Sequence, residues 1–342
     1  MKAVVYDAPR SFTVREVPTP EPGPREVRVR VTQTGVCGTD LHLHEGEFLA
    51  AYPMIPGHEI VGVVDRTGQE VEEFAPGQQV VLNPNSSCGN CAFCRAGRRL
   101  LCPHIAGLGS NRPGGFAEYV VAPVEQVFPA EGMDPDTAVF TEPTSCAMHG
   151  TDVLRPVSGS TALVLGAGPT GLLLAQLVAS SGAAHVTVAA PVAFQLKTAR
   201  ALGLDATFEM DRNDLAGDVG RLLALTDGAG YDIVIDATGV ARVIEACLSL
   251  TRNGGTTLFY GVAREQDRIQ VSPYEIFRRE LTVKGSFAEI DSFPAALVAL
   301  RSGRARTDGI ITHRFALEQY GDALDAVRND SSAHKVVIDT TL

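Results

Sequence analysis

Several residue types typical of membrane, secreted or nucleic-acid-binding proteins are missing or scarce in this chain. Its 342 residues include no tryptophan, and aromatic residues make up only 6%. No run of four or more basic residues occurs, and the formal net charge of −11 repels phosphates and anionic lipid head groups. The first residues lack the apolar segment of a secretory signal. These absences argue against nucleic-acid and membrane partners and predict a cytoplasmic protein.

One stretch without charged residues needs separate treatment. Residues 161–194 contain no Asp, Glu, Lys or Arg, which is long enough to span a bilayer. Glycine and proline divide the stretch into a β-branched run, a glycine-rich turn, a Leu/Ala run and a second β-like run. The pattern therefore predicts strand, helix and strand.

Length and composition indicate two folded domains. Apolar residues make up 45% of the chain and charged residues 20%, a globular balance. Up to about residue 148 the sequence has short β-rich segments separated by Gly and Pro. From about residue 151 strand-like and helix-like runs alternate, which predicts a parallel sheet with crossover helices. The pattern alone leaves open which domain the residues after about 285 join.

A glycine-rich motif follows the first strand-like run of the second part. GAGPTG at residues 166–171 matches GxGxxG, directly after the apolar residues 161–165. In this context the first glycine permits a tight turn, and the second lets backbone approach a pyrophosphate at a helix N-terminus. The alternative is a glycine-rich turn without a ligand. The predicted dinucleotide contacts are Gly166, Gly168, Pro169, Thr170 and Gly171.

The next strand lacks the acidic residue that usually binds the adenosine ribose of NAD. Residues 189–191 are Ala-Ala-Pro, and the absence of a carboxylate favours NADP. Lys197 and Arg200 on the following helix are candidates for the 2′-phosphate, or else ordinary solvated charges. The remaining candidate cofactor-binding residues are Ala190, Thr238, Gly261, Val262, Ser286 and Phe287.

Four of the seven cysteines lie within 15 residues. Cys88, Cys91, Cys94 and Cys102 have the spacing C-x2-C-x2-C-x7-C, which is typical of a closed, four-coordinate structural zinc site. An iron–sulfur cluster is the main alternative, because C-x2-C-x2-C also opens the bacterial ferredoxin pattern. The final spacing of seven disfavours that alternative, and disulfides are the third possibility. Such cysteine usage indicates a reducing compartment.

A second group of candidate ligands is dispersed along the first part of the chain. It consists of Cys37 in GVCGTDLH, His58 and Glu59 in PGHE, and Glu142 in TEPTS. Mixed sulfur, nitrogen and oxygen donors suit zinc, and three protein ligands with one exchangeable position are typical of a catalytic site. Taken singly, a buried Cys or a hydrogen-bonded His is the commoner interpretation, so the metal-site prediction depends on the four residues occurring together.

Taken together in their order, these motifs resemble those of the zinc-dependent medium-chain dehydrogenases. The resemblance covers nearly the whole chain and implies a GroES-like catalytic domain, 1–148 with 287–342, and an inserted Rossmann domain, 149–286. It implies two zinc ions per chain, one catalytic in the cleft between the domains and one structural. It also implies NAD(P), a small alcohol or ketone as substrate, and a homodimer or homotetramer.

Within that family, EPTSCAMHG resembles the sorbitol and polyol dehydrogenase branch. The resemblance implies that Glu59 and Glu142 bind zinc or exchange with its water. It also implies that Thr39 accepts the proton of a secondary hydroxyl and His42 passes it toward solvent. Thr39 capping the turn is the structural alternative.

Two polyol-facing residues of that branch, a Tyr and an Arg, are replaced here by Leu43 and Ala288. Two alternatives follow for four nearby residues: they line a different substrate pocket, or each has an ordinary surface role. These residues are His44, Glu45, Phe48 and Glu289. The CGTD segment also resembles threonine dehydrogenases, the nearest alternative substrate class. A non-catalytic nucleotide-binding relative, or a zinc-free quinone or enoyl reductase, is disfavoured by the complete set of candidate catalytic residues.

Overall fold

The computed structural model describes residues 1–47, 50–204 and 206–342, which form two compact units. The first unit comprises Met1–Ser145, Glu289–Arg301 and Ile311–Leu342. The second unit comprises Cys146–Ala288 and Ser302–Ile310. Phe48, one of the candidate pocket residues, lies outside the described residues.

The described chain contains strands β1 to β17 and helices α1 to α11. The strands are β1 Lys2–Ala8, β2 Ser11–Glu16, β3 Glu26–Val36, β4 Glu59–Thr67, β5 Gln79–Leu82, β6 Asn85–Ser86, β7 Ala106–Gly107, β8 Tyr119–Pro123, β9 Val127–Pro129, β10 Thr161–Leu165, β11 His185–Ala190, β12 Ala206–Glu209, β13 Tyr231–Asp236, β14 Thr251–Phe259, β15 Thr282–Gly285, β16 Ile311–Phe315 and β17 Lys335–Asp339. The helices are α1 Gly38–Glu45, α2 Ala92–Arg95, α3 Pro135–Ala138, α4 Thr141–Leu154, α5 Pro169–Ser180, α6 Ala193–Ala201, α7 Leu215–Ala224, α8 Ala241–Leu250, α9 Pro273–Arg278, α10 Phe293–Arg301 and α11 Tyr320–Asn329. Short 3-10 helices span Arg99–Leu101, Val124–Gln126 and Leu317–Gln319.

The first unit is built on a seven-stranded sheet in the order β16-β17-β3-β4-β5-β9, with β8 also paired to β3. Strand β3 shows why this segment forms a strand: Val27, Val29 and Val31 are buried, while Arg30 between them is exposed. Because alternate strand residues point to opposite faces, this alternation places the valines in one core. That core also receives Ile60 from β4 and Leu82 from β5.

The last strands of the chain complete this N-terminal sheet. Strand β17 pairs antiparallel with β3, and β16 pairs parallel with β17. The chain therefore leaves the first unit, forms the second, and returns, which confirms the predicted GroES-like fold with an inserted domain.

The compact units differ from the predicted domain bounds at Ser302–Ile310. This segment packs with the second unit because the Gln176 side chain bonds the backbone of Arg306, donating to its carbonyl at 3.1 Å and accepting from its N–H at 2.8 Å. The partition into 1–148 with 287–342, and 149–286, stays a prediction.

The second unit contains a six-stranded parallel sheet in the order β12-β11-β10-β13-β14-β15. Numbered within this unit, the order is 3-2-1-4-5-6, the arrangement of the doubly wound dinucleotide-binding fold. Residues 161–165 of β10 are apolar almost throughout because helices cover both faces of a parallel sheet. The chain adds strands on one side of β10 up to β12 and then on the other side from β13, so the order switches between β10 and β13. Ligands of such sheets bind at the carboxyl ends of the strands beside this point.

The uncharged stretch 161–194 forms β10, α5, β11 and the start of α6, as predicted. Among the residues that the structure describes, no helix has both the length and the apolarity needed to cross a membrane.

Candidate active site, metal centres and cofactor site

Three of the predicted zinc ligands converge within the first unit. The ligand atoms of Cys37, His58 and Glu59 all lie within 4.8 Å of one another. Cys37 follows β3 directly and caps the N-terminus of α1, while Glu59 is the first residue of β4. Because β3 and β4 pair with Gly35 opposite Glu59, the sheet register itself brings the two segments together.

The pairing residue Gly35 is needed for this arrangement. A Cβ atom at residue 35 would lie 1.8 Å from Glu59 Oε2 and 2.9 Å from the Lys335 side chain. Any larger side chain would therefore displace the Glu59 carboxylate.

Asp40 supports two of the converging residues from α1. Its Oδ2 accepts the backbone N–H of Cys37 at 2.8 Å, and its Oδ1 lies 3.7 Å from His58 Nδ1. Burial raises the pKa of Asp40, which is 1% exposed. Burial alone would lower the pKa of His58, but the neighbouring Asp40 carboxylate and Cys37 raise it well above 6.5.

Lys335, which the sequence analysis did not single out, forms a buried ion pair with Glu59. Its ammonium also donates to the carbonyl of Val36 at 3.2 Å. Burial alone would lower the pKa of Lys335, yet Glu59 and Cys37 raise it, so this lysine is charged. The sequence signal that could have found it is a lysine at the start of the buried run KVVID.

The three converging residues fit a zinc ion. Sulfur, imidazole nitrogen and carboxylate oxygen are all zinc ligands, and three protein ligands are typical of a catalytic site. Glu59 Oε1 is buried and has no hydrogen-bond partner in the described chain. An unsatisfied buried carboxylate oxygen is costly unless a cation occupies the space beside it.

Glu142 lies in the first turn of α4 and is 9% exposed. It is not part of the three-residue convergence, although its charge contributes to raising the pKa of both His58 and Lys335. Glu142 is therefore near these residues rather than among the three closest donors.

The predicted proton relay lies on α1. Thr39 Oγ1 is 3.7 Å from Cys37 Sγ. Thr39 and His42 are three residues apart, so they share one face of the helix. His42 Nδ1 lies 2.7 Å from Glu47 Oε2, a partner that the sequence analysis missed because it lies in the loop after the helix.

Three other residues near the relay have structural contacts. Leu43 is buried in the core around Tyr6 and Tyr320. His44 Nδ1 lies 2.8 Å from Tyr6 Oη, and Glu45 forms ion pairs with arginines of the β1–β2 turn and of α11. These contacts favour the structural role for His44 and Glu45 over the pocket-lining one.

The four clustered cysteines also converge. Their sulfur atoms lie 3.4 Å (Cys91 to Cys94), 3.5 Å (Cys88 to Cys102), 3.8 Å (Cys91 to Cys102) and 4.0 Å (Cys88 to Cys94) apart. A tetrahedron with zinc–sulfur bonds of about 2.3 Å has edges of about 3.8 Å, so the sulfurs fit zinc. The backbone N–H groups of Asn90 and Cys91 lower the pKa of Cys88 to about 6. The Cys94 N–H lowers the pKa of Cys91, but burial and the neighbouring thiols outweigh it and raise that pKa to about 11, so Cys88 ionises before Cys91. All seven cysteines of the chain are free of disulfides.

The glycine-rich motif joins β10 to α5. Gly166 has a φ of 115°, and its N–H donates to the Ala189 carbonyl. A Cβ at Gly171 would lie 2.2 Å from the Gly166 carbonyl oxygen, so close packing of strand and helix requires this glycine. A Cβ at Gly168 would meet nothing within 4 Å. The space beside Gly168 is therefore open, as expected where a phosphate group binds close to the backbone.

The other predicted cofactor residues follow the carboxyl ends of neighbouring strands. Thr238 bonds the buried Asp236 through its N–H and its hydroxyl, at 3.0 and 2.6 Å. A Cβ at Gly261 would lie 2.2 Å from the Gly239 nitrogen. The Ser286 N–H donates to the Phe259 carbonyl at 3.2 Å. Val262 and Phe287 are 48% and 42% exposed, which leaves apolar surface at this edge.

A cleft of about 490 Å³ lies beside the carboxyl ends of β11 and β12. Its lining is Pro191, Glu209, Met210, Asp211, Arg212 and Arg221, and includes neither Lys197 nor Arg200. Lys197 is exposed on α6, and Arg200 donates to the Thr207 hydroxyl. Arg212, which the sequence analysis missed, forms no ion pair with a described residue, whereas Arg221 pairs with Asp214 and Asp218.

Comparison with known proteins supports these observations. Residues 23–132 match the alcohol dehydrogenase GroES-like domain, and residues 169–302 match the zinc-binding dehydrogenase family. The chain is 41% identical to D-arabinitol dehydrogenase 1 of Uromyces fabae, over 95% of this chain and 93% of that protein. The chain belongs to the zinc-dependent medium-chain alcohol dehydrogenases.

Two further relatives of this dehydrogenase are informative. It is 34% identical to L-threonine 3-dehydrogenase of Anaeromyxobacter dehalogenans, over 95% of this chain and 94% of that protein. A zinc-binding dehydrogenase of Sinorhizobium meliloti 1021, solved bound to NADP, superposes with a TM-score of 0.91 at 36% identity, covering 99% and 98% of the two chains. The predicted family, fold and class of activity, an NAD(P)-dependent alcohol dehydrogenase, are confirmed.

Proposed function

We propose that this dehydrogenase oxidises a secondary hydroxyl of a small polyol, and reduces the corresponding ketone, at a zinc site formed by Cys37, His58 and Glu59. The convergence of these three residues is the observation that carries the proposal. The 41% identity to a D-arabinitol dehydrogenase supports a polyol as the substrate.

Cys37, His58 and Glu59 would hold the catalytic zinc, and the charge of Glu142 acts on His58 and Lys335 beside them. Bound zinc would supply a Lewis acid that lowers the pKa of the substrate hydroxyl. Lys335 stabilises the Glu59 carboxylate through an ion pair, and the Asp40 carboxylate lies 3.7 Å from His58 Nδ1. The ion pair with Lys335 keeps the buried Glu59 carboxylate from being an unpaired charge.

Thr39 and His42 would move the proton released from the substrate. The Thr39 hydroxyl, close to Cys37, accepts the substrate proton and donates its own toward His42. Glu47 accepts a hydrogen bond from His42 Nδ1, which leaves His42 Nε2 as the nitrogen that exchanges protons.

The structural metal at Cys88, Cys91, Cys94 and Cys102 is proposed to be a second zinc ion. The sulfur–sulfur distances of 3.4 to 4.0 Å and the low pKa of Cys88 support this assignment. Family membership favours zinc over the iron–sulfur alternative.

NADP is the proposed cofactor. The glycine-rich motif would bind its pyrophosphate at the N-terminus of α5, and the nicotinamide would accept hydride from the carbinol carbon. The missing acidic residue after β11 and Arg212 of the neighbouring cleft support a 2′-phosphate. The NADP-bound relative from Sinorhizobium meliloti supports the same choice.

The cofactor assignment is tested by changing Arg212. We expect Arg212→Ala to raise the KM for NADP about tenfold or more, since a charge-assisted hydrogen bond contributes roughly 1.5 to 3 kcal/mol. The KM for NAD should stay unchanged. Lys197→Ala, on the exposed face of α6, is the matched control. Equal effects of Arg212→Ala on both cofactors would contradict the proposed phosphate contact.

A threonine 3-dehydrogenase activity is the second candidate, because that relative is 34% identical over 95% of the chain. The two candidates are separated by measuring cofactor reduction with a panel of pentitols and hexitols and with L-threonine. We expect kcat/KM for the best polyol to exceed that for L-threonine by about tenfold or more, which corresponds to roughly 1.4 kcal/mol. A reversed preference would support the amino-alcohol alternative.

Assembly as a homodimer or homotetramer and location in the cytoplasm also remain predictions. The edge strand β15 and the exposed aromatic side chains of α9, Tyr274 at 64% and Phe277 at 80%, support pairing of two copies at this edge.

A further inference from the structure

A fully buried carboxyl group, that of Glu289, lies beside α4 and has no part in the proposed proton path. Glu289 is 0% exposed, so it cannot line an open substrate pocket. The residue before it, Ala288, has a φ of 51°, a left-handed conformation that is unfavourable for alanine. Strain beside a buried polar group suggests that its placement matters to function.

Glu289 is joined to α4 by a short chain of hydroxyl groups. Ser145 Oγ lies 2.8 Å from Glu289 Oε2 and 3.0 Å from Ser292 Oγ. The Ser292 hydroxyl donates to the Ser145 carbonyl oxygen at 2.9 Å. On the other side of the carboxyl group, the Asn85 side-chain N–H donates to Glu289 Oε1 at 3.4 Å.

Both oxygens of this carboxyl group have a polar partner. The Ser145 hydroxyl donates to Glu289 Oε2 at 2.8 Å, and the Asn85 side chain donates to Glu289 Oε1. The Ser292 hydroxyl, 3.0 Å from Ser145 Oγ, extends this chain of contacts along α4.

The surrounding charges agree with a protonated carboxyl group. Burial, together with the charge of Glu142 on α4, raises the pKa of Glu289 to about 8. Asp291 on the same segment adds a smaller effect in the same direction, although it is itself paired with Arg99. Glu142 and Ser145 are three residues apart, so both lie on the face of α4 toward Glu289.

The segment that carries Glu289 is fixed from the cysteine-rich side of the same unit. Asn83 donates to the Ile290 carbonyl at 2.8 Å, and Arg99, within the cysteine loop, bonds Asp291 at 2.6 Å. The Glu289 carboxyl group is therefore held at a defined position from which it contacts α4.

We propose that Glu289 is a positioning residue, which fixes the first turns of α4 and thereby Glu142 beside the zinc site through its hydrogen bond to Ser145. The inference rests on the proposed function. As a neutral group that accepts from Ser145, Glu289 holds the helix without adding a second negative charge next to Glu142. Its replacement should alter how Glu142 serves the metal site while leaving the cofactor site of the second unit unchanged.

The test compares Glu289→Gln, which keeps a neutral donor and acceptor, with Glu289→Leu, which removes both. We expect Glu289→Leu to lower kcat about tenfold without changing the KM for the cofactor, and Glu289→Gln to retain most of kcat. Ser145→Ala should lower kcat by a similar factor. It provides the test if the Glu289→Leu variant does not fold. Glu131→Gln, at an exposed carboxylate of the same unit, is the matched control and should leave kcat unchanged. Equal loss in Glu289→Gln and Glu289→Leu would overturn the proposal.

Two readouts do not depend on turnover. Infrared spectra of wild type should contain the carbonyl band of a buried protonated carboxyl group that is missing in Glu289→Gln; an unchanged spectrum would overturn the proposal. Because the folded pKa of about 8 lies above the ordinary 4.5, wild type should lose thermal stability relative to Glu289→Gln as pH rises between these values. If wild type oxidises no polyol, the proposed function is wrong. The infrared and stability measurements still test whether the Glu289 carboxyl group is protonated.

Discussion

At the scale of single residues, Lys335 supplies the positive charge that neutralises the buried Glu59 carboxylate of the proposed zinc site. It is 3% exposed and paired with Glu59, which is 1% exposed. We expect Lys335→Met to destabilise the chain by about 3 kcal/mol, because it leaves a buried carboxylate without its partner. The midpoint of urea unfolding measures this loss.

The matched control for that substitution is the double variant Glu59→Gln with Lys335→Met. Removing both charges should recover most of the stability lost in the single variant. A single Lys335→Met variant as stable as wild type would contradict a structural role for the ion pair.

Thr39 gives a second prediction at this scale. Thr39→Ala should lower kcat by about a hundredfold, the usual contribution of a positioned proton-transfer group, while cofactor affinity stays the same. Thr39→Ser keeps the hydroxyl and should retain most of the rate. Stopped-flow measurement of cofactor reduction, combined with a fluorescence titration of the reduced cofactor, separates the two effects. Undiminished turnover in Thr39→Ala would exclude the proposed relay.

The site residues that could be predicted from sequence are those that lie close together along the chain. Cys37, with Thr39 and His42, lies on one short segment, and His58 and Glu59 are adjacent, so their grouping was visible. Lys335 was missed because β17 reaches the site only through its pairing with β3. The burial of Glu289 and the bond from His42 to Glu47 likewise depend on how separate segments pack.

At the scale of elements, the cysteine loop should be separable from the catalytic centre. Cys94→Ser removes one of four thiolates, and we expect the variant to contain about one zinc per chain instead of about two. Its thermal midpoint should fall because metal binding contributes to folding of such loops. Cys247→Ala removes a buried thiol outside both clusters and should keep both ions. Two zinc ions in Cys94→Ser would contradict the assignment.

Elements with strong local signals were predicted well, and their long-range partners were not. GxGxxG between an apolar strand and a helix predicted β10 and α5, because the motif needs that context. The alternation of strands and helices predicted a parallel sheet with crossover helices, whereas the order of its six strands comes from the structure. The cleft beside Arg212 was missed, because it depends on where the turn after β12 lies relative to Pro191.

At the scale of the whole molecule, we expect association through the exposed edge of the second unit's sheet. Val283 in β15 is 41% exposed, and an edge strand presents backbone groups to a partner. Val283→Pro interrupts this edge strand and should shift the molar mass measured by light scattering toward the monomer. The control is Val157→Pro, at an exposed position outside helices and strands. The exposed Val298 is not used, because a proline there would break α10. A monomeric wild-type chain would contradict the assembly prediction.

The central claim is that zinc at Cys37, His58 and Glu59 makes this chain a polyol dehydrogenase. It is tested most directly by the initial rate at which a polyol reduces the nicotinamide cofactor, measured before and after a chelator removes the metal. The account predicts that the rate disappears with the zinc and returns when Zn²⁺ is restored. An undiminished rate in protein shown by elemental analysis to contain no zinc would contradict it.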